Sequence, residues 1–181
     1  MYWAEHIGII VSDIERSVRF FSALFDTEPI QKVEFRGKGA EPVAAMVGQT
    51  GLELDVVFFQ IPHTNTIIEL VKYYHLPKQA TVTYPPEAIG GLHLAFFVED
   101  LDAALERLKK IGAMIMTPVD LTFGAYSGGR AVYFRGPDNE LLQLMAVTQR
   151  PGKLPVLRPS MPRRDGSAAR PAEGTAKPER P

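Results

Sequence analysis

Residues 91–112, GLHLAFFVEDLDAALERLKKIG, decide how the rest of the chain is read. Residues 92–98 are apolar except for His93 and predict a short buried strand. Asp100 stands where a carboxylate can accept from the unpaired N–H groups of a first helical turn. Leu101, Ala104, Leu105, Leu108 and Ile111 then recur at helical spacing, and Gly112 stands where helices commonly stop. The stretch is a strand, a capped turn and an amphipathic helix.

The same pattern occurs earlier, at residues 6–24, HIGIIVSDIERSVRFFSAL. Aligned on the histidines, His6 matches His93, Val11 matches Val98, Asp13 matches Asp100, Ile14 matches Leu101 and Val18 matches Leu105. Two copies are too few for a solenoid. They predict one pseudo-symmetric domain built from two halves.

The remaining elements complete each half. Strand one is expected at about 3–11 and helix one at about 14–25. Further strands are expected at 29–36, ended by GKGAEP, at 52–60, and at 66–74, TIIELVKYY. After a Pro-containing connection at 76–90, the second half follows its strand and helix with strands at 113–118, 131–135 and 141–147. A Gly-rich turn at 123–129 and a turn at 136–139 separate these. Each half reads β-α-β-β-β. The predicted class is α+β, with two βαβββ modules forming a pseudo-symmetric curved mixed sheet. Module one spans about 1–75, a linker 76–90, and module two 91–149.

Composition bounds the function. The chain has 181 residues, a net charge of −1 and no cysteine. Thiolate metal sites, disulfides and cysteine nucleophiles are excluded, which fits a cytoplasmic protein. No run is long and apolar enough to span a membrane, so no membrane partner is expected. From Arg150 onward eight basic residues face three acidic ones in a Pro- and Arg-rich segment. Residues 150–181 are therefore expected to be a disordered tail or a dimer arm. No aromatic residues are interleaved there to stack on bases, so no nucleic acid is expected.

The chemistry rests on polar residues inside apolar strands. His6 and His93 head the first strands of the halves, while Glu69 (IIELV) and Gln143 (LLQLM) lie in the last. A carboxylate among branched apolar side chains is costly to bury unless it is paired or bound to a cation. Each residue alone has an ordinary reading as a satisfied or solvent-facing side chain. The repeat places the four at equivalent points, and two imidazoles, a carboxylate and an amide oxygen suit Ni, Co, Zn, Mn or Fe(II).

The stretches HIGIIVSDIERSVRFF, NTIIELV, GGLHLAFFVEDLDAALERLKKIGA and AVYFRGPDNELLQLM resemble the vicinal oxygen chelate superfamily. This is the paired-βαβββ fold of glyoxalase I, fosfomycin-resistance enzymes, extradiol dioxygenases and bleomycin-binding proteins. The resemblance covers about residues 1–147. It implies that His6, Glu69, His93 and Gln143 ring a divalent metal, and that small-molecule substrate binds in a homodimer. Where the family has a final glutamate this chain has Gln143, and an amide cannot act as a general base, which leaves that role to Glu69. Gly136 replaces a common aspartate and Asn139 the usual turn glycine.

Three functions follow as expectations. The first is a metal-dependent glyoxalase-like lyase or isomerase acting on a carbonyl or vicinal oxygens. The second is an extradiol-type Fe(II) dioxygenase, and the third a non-catalytic small-molecule binding or resistance protein. Tyr73, His75, Tyr126, Arg130 and Tyr133 are the candidate substrate-binding residues.

Overall fold

The computed structural model describes residues 4–75, 83–122 and 126–147. The tail at 150–181, residues 76–82 of the expected linker and 123–125 of the Gly-rich turn lie outside the described residues.

The first half runs β1 (His6–Ile10), α1 (Ile14–Phe25), β2 (Gln31–Phe35), α2 (Glu41–Met46), β3 (Glu53–Gln60) and β4 (Ile67–Tyr74). The second runs β5 (Leu94–Phe97), α3 (Leu101–Lys110), β6 (Met114–Ile115), β7 (Val119–Asp120), β8 (Arg130–Arg135) and β9 (Leu141–Ala146). Both major helices start as the sequence requires. The Asp13 carboxylate accepts from the Arg16 N–H at 3.0 Å, and Asp100 accepts from Ala103 N–H at 3.0 Å. Each satisfies a donor that the first turn leaves without a helical partner.

The strands form two sheets, ordered β1-β4-β3-β2 and β5-β9-β8-β6, with β7 also on β8. In each, the first strand runs parallel to the last and the remaining pairs are antiparallel. The repeat holds to the residue. Gly8, two positions after His6, pairs with Glu69, and Ala95, two positions after His93, pairs with Gln143. Among the described residues β1 and β5 end their sheets and do not pair with each other, so the halves form two sheets rather than one continuous one.

One core joins the halves. Phe21, Phe59, Ile68 and Leu70 of the first pack in the same cluster as Leu105, Leu108, Phe134 and Leu142 of the second. The rings of Phe25 and Phe96 meet at 5.4 Å, carrying the aromatic row from α1 onto β5. A polar tie adds to this: Asp138, in the β8–β9 turn, accepts from Ser12 N–H at 2.9 Å and from Arg16 Nη2 at 2.7 Å. The helices cover one face of each sheet. On the other face of the first sheet, Leu54, Val56 and Val71 form a smaller cluster with Val43 of α2 over it.

Two elements differ from the sequence reading. Residues 37–46 form a 3₁₀ turn (Gly37–Ala40) and α2, where only a strand-ending loop was expected. Ala40 and Ala44 are buried there, and small side chains give too weak a periodic signal to announce a six-residue helix. The expected strand at 113–118 is broken into β6 and β7. Pro118, just before β7, has no N–H to offer a ladder.

Candidate metal and substrate site

Strand parity assigns each candidate to a face. Ile68 and Leu70 point into the main core, so Glu69 points to the opposite side, where Phe58 stands directly across from it on β3. The same parity carries Val71 and Tyr73 along that face, toward the apolar cluster under α2. His6 meets Glu69 from the edge strand: His6 Nε2 lies 3.5 Å from Glu69 Oε2. Two donors sharing a tetrahedral cation at 2.0–2.2 Å would be about 3.4 Å apart, so this pair fits two adjacent corners of such a site.

Glu5 completes the arrangement, and sequence reading passed over it. Its carboxylate bonds His6 Nδ1, which leaves Nε2 facing Glu69. A carboxylate on the far nitrogen fixes ring orientation and raises basicity, as partners of metal-bound histidines do. The Glu5 hydrogen bond is the largest influence on the His6 pKa and raises it. Partial burial opposes this and the Glu69 charge adds to it, and the net shift is upward. The only sequence signal was the Glu–His dipeptide itself. The second half has Leu92 at the equivalent position, so the two histidines are not equally supported.

On the second sheet, Leu142 and Leu144 face the core and Gln143 faces away, opposite Tyr133 on β8. The His93 ring stands edge-on to Tyr133, centroids 5.2 Å apart at 88°. Tyr126 lies 6.3 Å from the Phe97 ring of β5, on the rim of the same half. The structure therefore assembles His6 with Glu69, and His93 with Tyr133 beside Gln143. Among the described residues no group of three or more His, Asp or Glu is placed to hold a metal within one chain. Cavities of about 490 and 300 Å3 occur elsewhere, and neither is lined by these four residues.

Two expected substrate residues sit elsewhere. Arg130 shares strand parity with Val132 and Phe134, so it lies on the helix-covered face, opposite Tyr133 and Gln143. Its guanidinium is held by both Asp102 oxygens at 2.9 Å, in the first turn of α3. His75 does not continue the Glu69 face. The strand ends at Tyr74, His75 takes φ 62°, and its Nε2 sits 3.4 Å from Glu53. Glu53 belongs to the opposite face of β3. Tyr73 and Tyr133 remain on the faces that carry Glu69 and Gln143.

This paired-module fold carries its candidate residues at equivalent registers in the two halves. The chain belongs to the glyoxalase/bleomycin resistance protein/dioxygenase superfamily, whose sequence pattern matches residues 5–134. The match ends before the strand that carries Gln143. The chain is 29% identical over 139 residues to the uncharacterized protein YwkD of Bacillus subtilis, spanning 77% of this chain and 92% of that one. It is 28% identical over 143 residues to a 2-epi-5-epi-valiolone epimerase of an Actinomyces species, covering 77% and 76%. Among solved structures, a glyoxalase family protein of Bacillus cereus superposes with a TM-score of 0.70 at 24% identity, over 81% of this chain and 95% of that one. A variant of the fosfomycin resistance protein FosX of Listeria monocytogenes, complexed with Mn(II) and a dihydroxypropylphosphonic acid, superposes at 0.51 with 22% identity, over 81% and 93%.

Proposed function

We propose that the protein is a divalent-metal-dependent isomerase or epimerase of the glyoxalase type, with His6, Glu69, His93 and Gln143 as ligands. The observation that carries this reading is the His6–Glu69 pair at 3.5 Å; in the second half His93 stands just before β5, two positions from Ala95, which pairs with Gln143 as Gly8 pairs with Glu69. Because the pairs are separate within one chain, each complete site takes one pair from each of two copies. A divalent cation held there supplies Lewis-acid polarisation of a carbonyl or vicinal oxygens.

The chain's own residues do the rest. Glu5 holds the His6 ring with Nε2 inward. Glu69 has the carboxylate oxygens that take up and return a proton at the carbon next to the polarised carbonyl, a step Gln143 cannot perform. Phe58 and Tyr73, on the Glu69 face, keep water from that carboxylate, which is only 23% exposed. Tyr133 and Gln143 position the substrate's oxygens from the other half. The likeness to an epimerase supports isomerisation. Gln143, standing where the family's glutamate would be, favours a second reading as a binding protein without turnover.

The test is metal content per chain after purification without chelator, followed by solvent-deuterium incorporation next to the carbonyl in a panel of α-hydroxy carbonyl compounds. Near-stoichiometric metal and exchange are expected from the wild type. Glu69→Gln should lower metal affinity by more than about 100-fold, beyond what loss of an outer hydrogen-bond partner costs, and abolish exchange. Equal metal uptake by Glu69→Gln would overturn the ligand set. Bound metal without exchange would favour the binding protein.

A further inference from the structure

The two oxygen-bearing candidates sit in the same kind of frame. Across the first sheet Glu69 lies between Gly8 on β1 and Phe58 on β3. Across the second, Gln143 lies between Ala95 on β5 and Tyr133 on β8. Each therefore has a small residue on one side and an aromatic ring on the other. A Cβ at Gly8 would stand 3.5 Å from Glu69 Oε2, an ordinary contact, so glycine leaves this side of the carboxylate open.

The next row along each face is apolar. It runs Ile10, Val71 and Val56 on the first sheet, and Phe97, Met145 and Ala131 on the second. Val56, Val71 and Ala131 are buried, whereas Ile10 is 53% and Phe97 43% exposed. Ile10 follows His6, and Phe97 follows His93, at the same interval in the repeat. A single exposed apolar side chain is unremarkable. Two at equivalent points beside the candidate ligands are not, because both lie on the side of their sheets away from the shared core. Core packing does not account for them.

Charge is sparse on these faces. Among the described strand residues, Glu69 and Arg135 are the acidic and basic side chains there, and Lys32, Lys72 and Arg130 take the helix-covered faces. Arg135 is engaged: its Nη1 donates to the Asn139 carbonyl at 2.8 Å and its Nη2 to the Tyr84 carbonyl at 2.6 Å.

We propose that the substrate is an uncharged molecule with an apolar substituent beside its chelating oxygen pair, and that Ile10 and Phe97 hold that substituent. The inference rests on the proposed ligand set and names what lies beyond the metal-bound oxygens. In the site shared between two copies, Ile10 comes from one and Phe97 from the other. An anionic substituent would lose hydration against apolar side chains and face the Glu69 carboxylate.

The experiment is calorimetric titration of the full chain, loaded with Mn(II), with three hydroxyketones. These are phenylacetylcarbinol, hydroxyacetone, which lacks the ring, and dihydroxyacetone phosphate, which carries an anion instead. Phenylacetylcarbinol is expected to bind about tenfold or more tightly than either of the others. Ile10→Ala and Phe97→Ala should each remove most of that preference while still taking up Mn(II). Ile30→Ala, which removes an exposed apolar side chain outside both rows, should keep it. Equal affinity for the three compounds, tighter binding of the phosphate, or a preference that survives both substitutions would each overturn the inference and leave the ligand set standing. Failure of the wild type to take up Mn(II) would overturn the ligand set, and this inference with it. Dissociation of either variant in light scattering, alongside the lost preference, would make these residues an interface and overturn their role as substrate contacts.

Discussion

Glu140 shows how a single residue can carry a pH signature. Burial, its largest influence, pushes the carboxyl up. The Asp138 charge pushes the same way, while main-chain N–H bonds and Arg16 oppose. One oxygen accepts from Asp138 N–H at 2.9 Å, and the other is buried without a partner. A raised native pKa means the folded chain binds this proton more tightly than the unfolded chain. Stability therefore falls as pH rises from the ordinary value of 4.5 through the folded value. Glu140→Gln keeps an acceptor for Asp138 N–H and never ionises. It is expected to match wild type below pH 4.5 and to exceed it near neutrality, a difference read from urea midpoints across pH. A constant difference at all pH values would contradict this account. The metal-ligand candidates were legible as residues because polar groups interrupting apolar strands are few. Glu5 was not, since an acid beside a histidine has no special meaning until the ring's orientation is known.

At the scale of elements, the β8–β9 turn explains two departures from the family pattern at once. A Cβ at Gly136 would collide with the Glu140 carboxylate, which fills the space an aspartate side chain would otherwise take. Asn139 adopts φ 66°, a left-handed conformation that asparagine tolerates better than most residues. In this chain the carboxylate that accepts from the turn's Asp138 N–H comes from Glu140, after the turn. Gly136→Asp alone is expected to destabilise by about 1–3 kcal/mol through overpacking. Adding Glu140→Asn should recover most of that loss, giving a favourable coupling in a double-mutant cycle of urea unfolding. Additive effects would show that the two side chains do not share this space. Helices α1 and α3 were legible because cap, stripe and stop agree. The short α2 was not, and Arg130 and His75 lie off the faces that carry Gln143 and Glu69 for different reasons. Arg130 violates the parity of Tyr133, a count the sequence already allowed. His75 depends on a backbone turn after Tyr74 that residue type does not announce.

At the scale of the molecule, the proposed sharing of a site between two copies makes a prediction that a self-contained site does not. His6→Ala and His93→Ala should each be inactive, since every site in either homodimer lacks a histidine. Unfolding and refolding an equal mixture should restore roughly one quarter of wild-type activity. Half the dimers would be mixed, and each mixed dimer would pair one intact His6 with one intact His93. No recovery on mixing would mean that ligands are drawn from a single chain. The pairing rules of the sheets were legible from the repeat, but the separation of the His6–Glu69 pair from His93 and Gln143 was not. Register fixes what lies opposite within a sheet and says nothing about how two sheets face one another. The places of the two histidines, at the head of β1 and just before β5, also bear on how this chain can change over time. Both imidazoles stand outside the shared core, His6 about half exposed, so folding does not depend on them. Substitution at either histidine therefore leaves the packed scaffold intact, so the chemistry at this face can change in a lineage without the fold changing with it.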